Sequence, residues 1–165
     1  MQNTLIRPAT NADAESIVGI YNHYVENTVI SFEESAVSAD EMAGRIADVA
    51  AASLPWLVAE RDGQVVGFAY ATKWKARGAY RFSAECTVYL EPGVVGGGLG
   101  SELYEALFAE LRSRQLHVAI ACIALPNAAS IALHEKMGMT QVAHFKEVGY
   151  KFGRWIDIGY WQCAL

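Results

Sequence analysis

The stretch Glu91-Pro92-Gly93-Val94-Val95-Gly96-Gly97-Gly98-Leu99-Gly100-Ser101 decides how this chain reads. Before it lies Phe82-Ser83-Ala84-Glu85-Cys86-Thr87-Val88-Tyr89-Leu90, rich in β-branched and aromatic residues, which predicts a strand. After it, Leu103, Leu107 and Leu111 recur at helical spacing with Phe108 beside them, which predicts a helix over 101–114. The glycines therefore sit where a strand turns into a helix. The first amides of a helix have no internal partner, and the helix dipole leaves that end positive. Glycine lets backbone approach a ligand without interference from Cβ. Such a junction is a cradle for a pyrophosphate.

Two common phosphate loops do not fit. A Walker loop ends in Gly-Lys-Ser/Thr, and Gly100-Ser101 carries no lysine. Gly93, Gly96 and Gly98 do not give the G-x-G-x-x-G spacing of a dinucleotide fingerprint. A flexible glycine-rich connection stays open as the reading that needs no ligand.

Composition sets the outer bounds. A chain of 165 residues suits one domain over 1–165 with a real core, and 53% hydrophobic residues predict a folded globule. Thirteen basic against 18 acidic residues leave a net charge of −5, which argues against nucleic-acid or anionic-membrane partners. No apolar run approaches the roughly 20 residues that span a bilayer. Met1-Gln2-Asn3-Thr4 shows no basic region followed by an apolar stretch, so no signal peptide is expected. Cys86, Cys122 and Cys163 are odd in number and far apart, giving neither a disulfide framework nor a zinc ribbon. A reduced, cytoplasmic setting without a metal is expected.

Outward from the glycine stretch, the elements fall into place. Residues 4–7 read as a strand ended by Pro8, with Thr10 or Asn11 capping a helix over 12–25. Residues 27–34 have no clean period and read as a loop, in which Phe32 either lines a pocket or plugs the core. Ser38-Ala39-Asp40-Glu41 is a capping box that opens a second helix through about 51. Strands over 56–60 and 65–71 join at Asp62-Gly63, a hairpin signal. A basic, aromatic loop over 74–81 leads into the strand before the glycines. Residues 117–124 are nearly all apolar, as in a buried strand, and Pro126-Asn127 ends them. A helix over 128–137 stops at Gly138, and strands over 141–150 and 155–163 meet near Phe152-Gly153. The helix between the Glu85 and His117 strands makes a crossover, so those strands should be parallel neighbours. The expected fold is a single α/β domain with a mixed, mostly antiparallel sheet, one parallel pair, and helices on both faces.

Gly98-Leu99-Gly100 also fits the end of R/Q-x-x-G-x-G, the pyrophosphate loop of acyl-CoA N-acetyltransferases, with Val95 standing at the R/Q position. Five further motifs recur in order: Trp74-Lys75-Ala76-Arg77, Glu85-Cys86-Thr87-Val88-Tyr89, Leu125-Pro126-Asn127, Leu133-His134-Glu135 and Gly149-Tyr150-Lys151-Phe152-Gly153-Arg154-Trp155. On these residues the chain resembles the GNAT superfamily, and within it the phosphinothricin and methionine sulfoximine N-acetyltransferases. The resemblance implies acetyl-CoA as co-substrate and a homodimer. It implies that Val88, Tyr89 and Leu90 pair with the pantetheine arm like an added strand. The amides of Gly96, Gly97, Gly98, Leu99, Gly100 and Ser101 would hold the pyrophosphate. Asn127 would contact the cofactor, cap its helix, or both. The resemblance also places Lys75, Ala76, Arg77, Glu85, Cys86 and Thr87 around a small amino-acid-like substrate.

Acetyl transfer to an amine needs a base for the ammonium, a donor for the developing oxyanion, and a proton or positive environment for the departing thiolate. Glu85, on an otherwise uncharged strand, is the candidate base; its competing role is an ion pair with Arg77 or Arg81. His134 can act as acid or base near neutral pH, or serve only as a packed or capping residue. The oxyanion donor is expected to be a backbone amide near Val88 or Tyr89. Cys86 has no histidine near it in sequence, and direct transfer requires no acyl-enzyme. Lys75, Arg77 and Arg81 lie between Trp74, Tyr80 and Phe82, and cations of this kind suit an acid group on the substrate; a solvated turn is the other reading. Two competing functions remain: transfer to a protein N-terminus, lysine or polyamine, and a non-catalytic acyl-CoA sensor.

Overall fold

Two short turns shape the arms of the sheet. Asp62 and Gly63 both have positive φ (50° and 80°), as do Phe152 and Gly153 (52° and 72°), and paired positive φ matches the twist of a tight hairpin. The computed structural model describes residues 4–94 and 96–165. Met1-Gln2-Asn3 and Val95, on which the leader and R/Q-position readings fall, lie outside them.

The described strands are β1 (Thr4–Pro8), β2 (Trp56–Arg61), β3 (Gln64–Lys73), β4 (Ser83–Leu90), β5 (Val118–Leu125), β6 (Thr140–Lys151) and β7 (Arg154–Ala164). They form one sheet in the order β1-β2-β3-β4-β5-β7-β6. The helices are α1 (Ala14–Asn27), α2 (Ala39–Ala51), α3 (Leu99–Ser113) and α4 (Ala128–Lys136). Only β4 and β5 run parallel among the described pairs, as the α3 crossover requires.

Local chemistry sets the helix starts. Ser38 accepts the Glu41 amide at 3.1 Å, and Asn127 accepts the Ser130 amide at 3.1 Å. The first helix begins later than expected: Thr10 precedes a single tight turn, Asn11–Asp13, and α1 starts at Ala14. That turn is held by Asp13, which accepts the Thr10 amide at 2.8 Å and pairs with Arg7 at 2.8 Å. Conversely α3 begins at Leu99, two residues before the expected Ser101, with Gly98 as its left-handed cap (φ 86°).

Strand register assigns the two faces. Phe68 and Tyr70 of β3 point with Tyr89 and Thr87 of β4 toward α1, where the Tyr21 and Tyr89 rings meet edge-on at 5.2 Å. The opposite face packs on α3: a Cβ at Gly67 would come within 3.3 Å of Leu103. Leu103, Tyr104, Leu107, Phe108 and Leu111 form the buried stripe of α3. Truncating Leu107, which is fully buried, should cost about 2–5 kcal/mol of unfolding free energy, read from the urea midpoint at unchanged m.

One irregularity positions everything that follows. β4 and β5 pair only over 83–85 with 118–120. Beyond that β4 stays with β3 out to Leu90, while β5 stays with β7 out to Leu125. The sheet therefore splits between its central strands. Cys122, expected in a buried strand, is exposed because it faces this split.

Candidate active site

The split leaves one edge of β4 without a strand partner. The Glu91 amide donates to Val66 of β3 at 2.9 Å. Successive peptide groups alternate in direction along a strand, so the amides of Thr87 and Tyr89 also face β3 and those of Val88 and Leu90 face the split. Of the two expected oxyanion donors, Val88 is thus the amide on the open edge. The Leu90 carbonyl is taken by the Tyr24 hydroxyl at 2.5 Å.

The cleft opens on both faces of the sheet. On the α1 side lies a cavity of about 430 Å³ walled by Tyr21, Ile30, Ser31, Phe32, Glu33, Tyr70, Glu85, Thr87, Tyr89, Cys122, Ala124 and Ile158. On the α4 side lies a narrower space of about 60 Å³ that includes Cys86, Val88, Tyr104, Asn127, Ser130 and His134. Ile30, Thr87, Tyr89, Cys122 and Ala124 border both, so the two are ends of one passage. Glu85 stands at one end and His134 at the other.

Glu85 points to the α1 side beside Thr72, its partner across β3. Burial raises its pKa, and the charge of Lys75 partly opposes that. Among the described residues it forms no salt bridge; Arg81 instead donates to the Gly78 carbonyl at 3.1 Å and lies over the Phe82 ring. Phe32 is 41% exposed and lines the Glu85 cavity; it does not plug the core.

His134 is 5% exposed and held at both ring nitrogens. Its Nδ1 lies 2.7 Å from the Ser130 carbonyl, which can only accept, so Nδ1 carries the proton. Nε2, 2.8 Å from the Tyr104 hydroxyl, is then the acceptor and Tyr104 the donor. Burial lowers the imidazole pKa and raises that of Tyr104 far up, so both are neutral near pH 7. Sequence reasoning missed Tyr104. Its signal was a tyrosine on the buried stripe of α3, since a buried hydroxyl must find a partner.

Other expected positions separate. Cys86 is buried on the α3 face, opposite Glu85 and Thr87, and burial drives its thiol pKa far up, so it supplies no thiolate. Alternation of side chains along β4 turns Cys86 to the face opposite Glu85, so of the two only Glu85 lines the α1-side cavity. Lys75, Ala76 and Arg77 are exposed and border a different cavity of about 420 Å³, with Lys73, Arg81, Phe82 and Arg114. Lys75 is the member of this loop whose charge reaches Glu85. The loop is anchored beside the cleft by Trp74, which meets Tyr160 edge-on at 5.3 Å.

The glycine loop divides by role. Gly96, Gly97 and Gly98 are exposed, with open space where a Cβ would stand, and Gly96 and Gly98 have positive φ (94° and 86°). These three fit a pyrophosphate cradle at the start of a 15-residue helix. Gly100 is buried, and a Cβ there would lie 3.1 Å from Leu133, so that glycine admits α4 against α3. The Leu99 side chain is fully buried, and the Ser101 amide is spent on the Gly98 carbonyl at 3.0 Å, which removes it from the expected set of cradle amides. Among the described residues no cluster of three or more His, Cys, Asp or Glu is placed to hold a metal, and no helix is long and apolar enough to cross a membrane.

Comparison with known proteins shows the family. The model for the acetyltransferase (GNAT) domain matches residues 6–159. The phosphinothricin N-acetyltransferase of Streptomyces viridochromogenes is 41% identical over 95% of this chain and 85% of its own. The L-methionine sulfoximine/L-methionine sulfone acetyltransferase of Salmonella typhimurium is 39% identical over 97% of this chain and 94% of its own. The solved structure of a phosphinothricin acetyltransferase from Sinorhizobium meliloti in complex with acetyl-CoA superposes with a TM-score of 0.95 at 36% identity, covering 98% of this chain and 88% of that one.

Proposed function

The chain belongs to the GNAT acetyltransferase family and is an acetyl-CoA-dependent N-acetyltransferase, and we propose that it acetylates the α-amine of a small amino-acid analogue of the phosphinothricin, methionine sulfoximine or methionine sulfone type. The observation that carries this reading is the half-buried Glu85 carboxylate in a cavity that opens into the split between β4 and β5. Acetyl-CoA supplies an activated acetyl group as its thioester.

In this reading both substrates are bound together and the amine attacks directly. Glu85 takes the proton from the ammonium, since only the free amine is nucleophilic. The Val88 amide, on the open edge of β4, donates to the carbonyl oxygen as negative charge grows there. At the opposite end the Tyr104 hydroxyl, held by Nε2 of His134, gives its proton to the thiolate sulfur as the C–S bond breaks, and the second proton that the attacking nitrogen loses restores it. Gly96, Gly97 and Gly98 bind the pyrophosphate, and Val88 and Tyr89 line the path of the pantetheine arm. Asn127, already the α4 cap, borders the same passage. Phe32 and Thr87 shape the acceptor end, and Lys75, on the rim of the neighbouring cavity, extends its positive charge toward it.

A cytoplasmic homodimer completes the proposal. The outer side of the β6–β7 hairpin supports self-association, because Val148, Tyr150, Phe152 and Trp155 are 55–63% exposed there.

Thiol release from acetyl-CoA tests the acceptor class, using methionine sulfone, methionine sulfoximine, phosphinothricin, plain amino acids, spermidine and a lysine peptide. Turnover confined to the first three is the expected result. Turnover only with spermidine or the peptide would reject the amino-acid acceptor. Acetyl-CoA binding with no turnover on any amine would favour a sensor.

A further inference from the structure

The motif Gly149-Tyr150-Lys151-Phe152-Gly153-Arg154-Trp155 has no part in the mechanism above, yet it holds a buried cation. Lys151, on β6, is 3% exposed. Its Nζ donates to the Val25 carbonyl and to the Ser31 carbonyl, both at 2.7 Å. Val25 lies in the last turn of α1, where carbonyls lack helical partners and the dipole favours a cation. Ser31 lies in the connection from α1 to α2, and that connection brings Ile30, Phe32 and Glu33 to the Glu85 cavity. Burial lowers the pKa of Lys151, and the carboxylates of Glu34 and Glu33 partly oppose that.

A second contact on the same face of β6 acts on the same loop. A Cβ at Gly149 would lie 2.4 Å from the Phe32 ring, so the absence of a side chain there is what seats the ring. Gly149 and Lys151 are two residues apart on β6 and point inward together, while Tyr150 between them points outward; Phe152, in the turn that follows, has its ring 5.0 Å from the Lys151 ammonium. On its other side the loop is tied to the helices: Ser31 Oγ meets the Tyr21 hydroxyl at 2.9 Å, and Glu33 pairs with Arg45 at 2.6 Å.

We propose that Lys151 is a positioning residue for the acceptor. Its ammonium ties the end of α1 to the loop that walls the Glu85 cavity, and Gly149 seats Phe32 in that wall. This rests on the reading of the cavity as the acceptor site.

The test compares the wild type with Lys151→Met, which keeps the length of the side chain and removes the charge. Measurements are made with acetyl-CoA present and with whichever amine the wild type turns over. The acceptor KM should rise by about tenfold or more while the Kd of acetyl-CoA stays within about twofold. Amide exchange over 28–33 should quicken by about tenfold with no change over 96–101. A folded Lys151→Met enzyme with unaltered acceptor KM would overturn the proposal, as would equal losses for both substrates. If Lys151→Met does not fold, Gly149→Ala keeps the cation and intrudes only on Phe32. It should give the same KM split and the same local exchange, and an unaltered acceptor KM would again overturn the proposal. The exchange measurement needs no acceptor. Inactivity of the wild type on every amine, with faster exchange at 28–33 in the variant, would therefore defeat the acceptor reading and leave the tie standing.

Discussion

Glu85→Gln is expected to lose about two to four orders of magnitude in kcat while the Kd of acetyl-CoA stays within about twofold. The substitution keeps the volume and one acceptor oxygen but abolishes the basicity. Glu85 lies at the α1 end of the passage, whereas the glycine loop and the Val88 edge that the proposal assigns to acetyl-CoA are formed by other residues. The expected loss is therefore in turnover. The pH dependence has a definite sign. The base must be ionised, so activity is full above the Glu85 pKa and falls as pH drops through it. Burial moves that acid limb above the ordinary carboxylate range. Lys75 holds it down, so Lys75→Met should move the limb to higher pH, and Glu85→Gln should abolish it. Unchanged turnover in Glu85→Gln would remove Glu85 from the mechanism.

The second large effect is expected at the other end. His134→Ala should lower kcat by about a hundredfold with far less change in acetyl-CoA affinity. Tyr104→Phe should reproduce part of that loss, because it removes the only proton shared with Nε2 of His134. The two groups form one hydrogen-bonded unit, so the double variant should be little worse than His134→Ala. The Ser130 carbonyl holds the Nδ1 proton, and burial keeps the ring neutral, so His134 should give no limb between pH 7 and 8. Loss of acetyl-CoA binding with kcat preserved would instead make His134 a binding residue.

Much of the fold was legible because it depends on neighbours in sequence. Asp62-Gly63 and Phe152-Gly153 adopt the positive φ pairs of tight hairpins. Ser38 and Asn127 cap the helices they precede. The spacing of Leu103, Leu107 and Leu111 marked the buried side of α3, and a helix between two strands required their parallel pairing. The glycine junction between strand and helix was legible for the same reason, although Gly100 packs against α4 and the Ser101 amide is spent locally.

What lay beyond the sequence was where the paired strands part and which side chains meet across long separations. No local signal says that β4 and β5 part after Glu85 and Ile120, because each strand alone looks regular and only the partners chosen on either side open the gap. Tyr104 and His134 meet across 30 residues, and Lys151 reaches Ser31 across 120. Cys86 and Glu85 are adjacent in sequence yet belong to opposite faces, and Arg77 borders a cavity separate from that of Glu85. By itself the sequence determined the elements, their caps and turns, and the residue types able to move a proton or hold a phosphate, since these follow from backbone preference and side-chain chemistry at each position. The tertiary structure alone decided which of those residues face one another, because that depends on strand register and on how packed elements share the space between them.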